Sequence, residues 1–542
     1  MMYPPLRQLS PDEQAKCDER WRRRTRRNVL FFVLTSVSGL AALAALWIMV
    51  PQLVLVIWPP GTNVPLGNYS RWGAVTIKEC AGVPRRVFAE HGTVGDVAVA
   101  LTLCTCVALP IHCGLGGGVL ALYYNNATGQ SWFIDGREES PSGASQSFYA
   151  ASSTTEIGIL SIAVPGQLRG LVKLHDLTGN NLAWRTLFRE AIDLANNGFV
   201  INKQLMQDFE LYRSAIENNR ALRCDHFYER EFAQQWHKEL ADSGSLIKLT
   251  DILNYKARQL PPLRTELDDD LVLVTAPPPT TGAITATICG IVKKWYASHT
   301  PVDDASFYHV LAEAFKFGFG QRPIFGDYNF TDAQKVAEMI NPVYAKALAE
   351  RIQEHGVLPS YSEYWADPEK VPSEQHYVIK SSTGGAVPII IWAPNGDVVA
   401  LETSLNSVLG SQVLSETKGI IYNNLMNDFD IPNQTNLWGF PGSLSSNLLG
   451  PSRRPVTSLA PVFLFRKGAL VAVAMGVGGG FAITGTAQGQ QSYLRFQSHD
   501  VHLQQQWTGT VVAMTWEAGR IYVAYDFRNT VRSNTIVGEW CV

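Results

Sequence analysis

The sequence predicts an α+β body built in layers and preceded by one membrane-spanning helix. Three observations predict it: helical spacing through 184–360, alternating apolar runs from Val387 onward, and an uncharged apolar run from Val29 to Val50. Helices concentrated in one part and strands in another, sharing core strands, point to packed layers. At 542 residues, 46% apolar and 17% charged, the chain can bury a large core. The net charge of -3 and the absence of a basic stripe in the body exclude a nucleic-acid role, because binding phosphates needs clustered cations.

Residues 1–27 carry eight Lys or Arg against four Asp or Glu and end in Arg22-Arg23-Arg24-Thr25-Arg26-Arg27. The 22 residues from Val29 to Val50 would span about 33 Å as a helix, enough for a hydrocarbon core of about 30 Å. The basic cluster precedes this run and the segment beyond it, Pro59 to Ser70, is uncharged, so the positive-inside bias keeps the N-terminus cytosolic. A cleaved signal peptide would have a shorter apolar core and a shorter basic lead. The predicted organisation is a cytosolic tail (1–28), a signal anchor (29–58, with Trp47 and Trp58 near its outer end), a Pro/Gly-rich stalk (59–70) and an extracellular or lumenal body (71–542) at the plasma membrane or a secretory-pathway membrane. Sequons at Asn68, Asn126, Asn329 and Asn433 suit that compartment. Of eight cysteines Cys17 falls inside, so at least one of the seven outside stays free or pairs between chains, as in a disulfide-linked dimer.

Within the body, "VGDVAVALTLCTCVAL" (94–109) has the small apolar composition of a helix packed closely on a sheet, and "GGGVLALYYNN" and "SWFIDGREESP" read as strands, the second ending in a charged loop. Helical spacing with Gly stops marks "RTLFREAIDLANNG", "NKQLMQDFELYRSAIEN", "ASFYHVLAEAFKFGF" and "DAQKVAEMINPVYAKALAERIQEHG". "VPIIIWAPNGDVVALETSLN" is a hairpin signalled by Asn395-Gly396, followed by strands in "PVFLFRKGALVAVAMGV", "GTVVAMTWEAG" and "RIYVAYDF". "GLGGG" is a tight turn rather than a phosphate loop, since no Lys-Ser/Thr follows. His112 beside it reads as structural, and His499, Asp500 and His502 as a surface helix rather than a metal site. No metal or cofactor is expected.

Eight pieces, in order, carry a resemblance: "PIHCGLGGG" (110–118), "FIDGREESP" (133–141), "VPGQLRGL" (164–171), "APPPTTG" (276–282), "NGDVVALETSLN" (395–406), "GIIYNNLMNDF" (419–429), "RRPVTSLAP" (453–461) and "GVGGGFAIT" (476–484). Together they resemble the γ-glutamyltransferase family of N-terminal-nucleophile hydrolases. That resemblance implies a four-layer αββα sandwich and a Cys80–Cys104 bridge, while a second family disulfide has no counterpart around Cys224.

Family members cut their own chain at a Thr whose hydroxyl becomes the nucleophile and whose freed amine serves as the base. Counting back from "NGDVVALETSLN", that position is Ala386 and the family His is Pro388; Thr383 is the fallback nucleophile. The body then divides into a large-subunit-like part (71–385) and a small-subunit-like part (386–542), expected to stay joined. The resemblance also implies remnant contacts to a γ-glutamyl or amino-acid ligand at Arg137, Ser404, Asn406, Asp428, Thr457 and Ser458, and oxyanion donors at Gly479 and Gly480. Leu425 replaces the family Glu that pairs with the ligand's ammonium, removing a contact of roughly 1.5–3 kcal/mol. An alternative for Arg137-Glu138-Glu139 is a solvated loop. The expected function is an inactive homologue acting as a scaffold, ligand sensor or accessory subunit of another membrane protein. The alternative is a divergent hydrolase or transferase acting on glutathione or its conjugates.

The topology generates a direct prediction. A tag at residue 2 is detected on cells only after permeabilisation, and glycosidase treatment shifts the mobility of the intact protein; labelling of the tag on unpermeabilised cells would show the opposite orientation.

Overall fold

The computed structural model describes residues 67–151, 155–201, 206, 230–299, 304–354, 356–365, 384–415, 418–432, 446–477, 510–517, 520–525 and 534–540. The anchor, Cys17, Thr383, Asn433, Gly479, Gly480, His499 and His502 lie outside these residues. Among the described residues no helix is long and apolar enough to cross a membrane.

The helices are α1 (Val83–Ala89), α2 (Val94–Ala108), α3 (Gln146–Ala151), α4 (Gln167–Leu177), α5 (Arg189–Asn197), α6 (Arg230–Asp242), α7 (Leu249–Asn254), α8 (Gly282–Ser298), α9 (Asp304–Gly320), α10 (Ala333–Met339) and α11 (Pro342–Ala349). The strands are β1 (Gly67–Ile77), β2 (Gly118–Asn125), β3 (Gln130–Gly136), β4 (Arg258–Leu260), β5 (Leu263–Glu266), β6 (Leu271–Thr275), β7 (Gly384–Trp392), β8 (Val398–Ser407), β9 (Val462–Arg466), β10 (Ala469–Val477), β11 (Thr510–Glu517), β12 (Arg520–Tyr525) and β13 (Asn534–Trp540). They pair in the order β4-β3-β2-β8-β7-β1-β12-β11-β10-β9-β6-β5, with β13 also on β1.

This continuous sheet folds so that its halves face each other. Leu120, Ile390 and Ala400 of one half share a core with Phe463, Val473, Val512 and Met514 of the other. On the outer face of the first half, Val387, Ile389, Ile391 and Leu401 pack against Val97, Leu101 and Leu171 of α2 and α4. On the outer face of the second, Leu273 and Val462 pack against Ala286 of α8, which joins α9, α10 and α11 in a further apolar cluster. The four layers are therefore αββα, as the resemblance implies. The period of two along β7 decides which side each residue faces: Ala386, Ile390 and Trp392 point between the sheets, Val387, Ile389 and Ile391 toward the helices.

Local sequence accounts for the elements that frame the site. Thr93 caps α2 by accepting from Asp96 N at 3.1 Å, while Asp96 Oδ2 accepts from Thr93 N at 2.7 Å, a reciprocal capping box. The β7–β8 turn carries Gly396 at φ 85°, a left-handed conformation that the Asn-Gly pair permits. The helix expected through 332–356 is two helices, because Asn341 leaves helical geometry to cap α11 and Pro342 occupies its first turn. "GLGGG" is a turn, closed by Gly117 N to Gly114 O at 2.9 Å. A Cβ on Gly117 would lie 2.0 Å from Ser404 O, so these glycines allow two backbones to cross rather than cradle a phosphate.

The Cys80–Cys104 bridge forms, with its Cα atoms 5.9 Å apart. A second bridge, Cys106–Cys113, was not anticipated. Cys289 is unpaired, and Cys224 and Cys541 lie outside the described residues. Asn126 and Asn329 are exposed.

An ionic knot ties the halves of the sequence together. Arg454, 1% exposed, donates from Nη1 to Asp135 O (2.8 Å) and contacts Asp135 Oδ2 (2.9 Å), reaches Glu139 from Nε (3.3 Å) and Lys256 O from Nη2 (2.6 Å). Asp327 accepts from Arg454 N at 2.8 Å and takes Arg258 in a two-pronged pair at 2.8 and 3.1 Å. Removing one member of a buried ionic group strands the others, at a cost of about 3–5 kcal/mol. Arg454→Met is expected to lower unfolding stability by that amount in a denaturant titration; a loss below about 1 kcal/mol would show the knot to be dispensable.

Candidate functional site

The candidate site lies at one end of the central strands. Gly118 of β2 pairs with Ser404 of β8, and Ser404 pairs with Ala386 of β7, so three strands present one row of positions. Ala386 is 6% exposed and its methyl group contributes to the core between the sheets. Pro388, two residues on and opposite Glu402, adds no N–H.

Arg137 follows β3 directly and is buried, which retires the alternative of a solvated loop. Its N donates to Asp135 Oδ1 (3.0 Å), its Nε to Pro455 O (2.7 Å), and its Nη2 to Asp428 Oδ2 (2.7 Å) and Val456 O (3.2 Å). The other Asp428 oxygen accepts from Asn406 Nδ2 at 2.9 Å, and Asn406 N donates to Ser404 Oγ at 2.8 Å. Asn406 adopts φ 79°, a left-handed conformation that asparagine tolerates better than most residues. Four expected residues, Arg137, Asp428, Asn406 and Ser404, thus form one connected chain leading to the Ala386 row.

Thr457 and Ser458 sit on the facing wall. Thr457 N donates to Pro279 O (2.8 Å), Thr457 Oγ1 accepts from Leu459 N (3.3 Å), and Ser458 Oγ accepts from Arg322 Nη1 (3.3 Å). Leu425 occupies the first position of a short 3-10 turn, Leu425–Asp428, and lies in an apolar cluster with Tyr149, Met426, Phe429 and Leu449. Its side chain is a packing element where the resemblance places a carboxylate.

The sequence alone did not reveal several polar groups of the site. Asn447 bridges its walls: Nδ2 donates to Asp428 O (2.9 Å) and Asp430 Oδ1 (3.2 Å), and Oδ1 accepts from Val456 N (2.9 Å). Burial lowers the Arg322 guanidinium to about 10, against the pull of Asp430 and Asp428. Burial likewise raises Asp430 to about 6, with Asn447 and Arg322 opposing. Glu138, 2% exposed, is pushed up to about 7 by burial, with Arg137 opposing and Asp428 and Glu402 reinforcing. These residues are far apart in sequence, and Glu138 alone had a signal, its place beside Arg137.

The arrangement can hold charge but not make an acyl bond at residue 386. The Arg137 fork is engaged by two carbonyls and a carboxylate of its own chain, and the methyl of Ala386 offers no nucleophile. Among the described residues no group of three or more His, Cys, Asp or Glu is arranged to hold a metal ion.

A four-layer αββα sandwich with a polar cluster at the ends of its central strands is the architecture of N-terminal-nucleophile hydrolases. The structure of a cephalosporin acylase from Bacillus halodurans superposes with a TM-score of 0.72 over 91% of this chain and 100% of that one, at 16% identity, a likeness of fold. The chain belongs to the gamma-glutamyltranspeptidase family, whose model matches residues 80–223 and 220–534. It is 29% identical over 447 residues to Scoloptoxin SSD14 of Scolopendra dehaani, covering 75% of each chain. It is 26% identical over 458 residues to Glutathione hydrolase 2 of Arabidopsis thaliana, covering 77% of this chain and 76% of that protein.

The buried carboxyl of Glu138 generates a pH prediction. Its value rises from the ordinary 4.5 to about 7 on folding, so the folded state holds a proton that the unfolded chain releases. Stability linked to this group is complete below about 4.5 and is lost as pH rises through about 7. Glu138→Gln removes the titration, so its melting temperature should gain on the wild type between pH 5 and pH 8; parallel profiles would assign the pH dependence elsewhere.

Proposed function

We propose that this protein is a catalytically silent member of its family: an anchored ectodomain that serves as a scaffold, ligand sensor or accessory subunit rather than as a transferase. The observation that carries the reading is Ala386, a methyl group in the strand row beside Ser404, where the family's nucleophilic hydroxyl belongs. Without that hydroxyl the chain cannot cut itself at residue 386, and without the cut no α-amine is freed to act as base. Pro388 and Leu425 support the same reading. One stands in the place of the family His, and the other puts an apolar side chain where a ligand ammonium would require an acceptor, leaving a charge unpaired in a partly desolvated pocket.

The glutathione hydrolases among its relatives support a second reading, an active enzyme using Thr383. Against it stands the register: β7 already pairs at Gly384 with Ser407, so Ala386 is the strand residue beside the polar chain. Reacting atoms must meet within about 3–3.5 Å, which a hydroxyl three residues upstream does not readily meet.

Turnover of a γ-glutamyl anilide separates the two. The wild type and Ala386→Thr alone are expected to give none, and the minimum set able to restore it is Ala386→Thr with Pro388→His and Leu425→Glu. Wild-type turnover abolished by Thr383→Ala would establish the second reading instead.

A further inference from the structure

The Cys106–Cys113 bridge joins the last turn of α2 to the glycine-rich turn before β2, seven positions along the chain. Cys106 is partly exposed, whereas Cys113 is buried. The other bridge differs: Cys80 and Cys104 are 0% and 1% exposed within the core between α1, α2 and the sheet. Gln167 Nε2 lies 3.4 Å from Cys106 Sγ and also donates to Thr403 Oγ1 at 2.6 Å. Cys106 is therefore the partly exposed end of the bridge, and its sulfur has a donor able to steady a thiolate.

What the bridge closes is the strap on which both walls of the polar cluster hang. Leu405 N donates to His112 O (3.0 Å) and Leu409 N to Ile111 O (2.7 Å), on either side of Asn406. Asn423 donates to Gly116 O from N (3.0 Å) and from Nδ2 (2.8 Å), and its Oδ1 accepts from Leu425 N (3.0 Å) at the head of the turn that carries Asp428.

We propose that Cys106–Cys113 is a thiol–disulfide exchange site for a small-molecule thiol, and that its state sets the order of the 111–117 strap and hence of the Asn406 and Asp428 walls. An external thiolate attacks Cys106 Sγ, forming a mixed disulfide and releasing Cys113 as a thiolate that takes up a proton. A second external thiolate attacks the outer sulfur of the mixed disulfide and releases Cys106. The bridge gains two electrons and the two external thiols become one disulfide. Bridges with access to solvent are more readily reduced than fully buried ones, so of the two bridges among the described residues Cys106–Cys113, with one partly exposed end, is the more susceptible. This inference stands whether or not residue 386 is catalytic.

The test uses the intact protein in graded dithiothreitol, with alkylation mapped by mass spectrometry and hydrogen exchange followed on the same samples. Cys106 and Cys113 should be alkylated at a reductant concentration at least about tenfold below that needed for Cys80 and Cys104. In that window the amides of Leu405, Leu409 and Asn423 should lose protection while those of α8 keep theirs. A Cys106→Ala/Cys113→Ala double substitution should reproduce the fast exchange without reductant; if it does not fold, the wild-type reduction decides. Simultaneous opening of both bridges, opening only on global unfolding, or selective opening that leaves these three amides protected would each overturn the proposal.

Discussion

The structure depends on a guanidinium with almost no access to water. Arg454 draws Asp135 at the end of β3, Glu139 and the Lys256 carbonyl into one group, and its own amide engages Asp327, which also holds Arg258. A charge this deeply buried is tolerated only because carboxylates and carbonyls surround it, and they in turn keep the guanidinium protonated. The immediate product is the position of the next two residues. Pro455 and Val456 offer their carbonyls to Arg137, so the arginine of the candidate site is aimed by its neighbour's ionic knot.

The same bonds explain how the fold itself holds the polar cluster together, whatever stands at residue 386. Arg137 is satisfied within the fold by two carbonyls and Asp428; Asp428 is satisfied by Arg137 and Asn406; Asn447 joins their walls. Deleting any one of them would leave buried partners unpaired, a penalty that falls on folding itself. A hydroxyl at residue 386 has no comparable structural duty. It can be replaced by a methyl group at little cost to the core, and Leu425 even adds apolar contacts. Scaffold and chemistry are thus separable here: the groups that hold the site are the groups the fold needs.

Local signals in the sequence were legible where one short segment decides the outcome. The Asn395-Gly396 hairpin and the apolar helix expected at 94–109 appear, the helix as Val94–Ala108, and the Cys80–Cys104 bridge forms as the family resemblance, rather than any local signal, implied. The break at Asn341-Pro342 was read through because apolar spacing continues across it, although the cap and proline were both present in the sequence. The burial of Arg137 and Glu138 was not decidable from their own segment. It is created by residues near 322, 428 and 455, hundreds of positions away, and no local pattern records such convergence. Arg322, Asp327, Asn447 and Arg454 were missed for that reason, and Cys106–Cys113 because pairing depends on how the strap folds back on α2.

We propose that the chain carries the family's fold without a nucleophile at residue 386. Intact-mass spectrometry of the purified, deglycosylated and reduced protein tests it most directly. One species is expected, in which the Gly385-Ala386 peptide bond is unbroken and recovered as a spanning peptide after digestion. Two stable chains, the smaller beginning at Thr383, would contradict it.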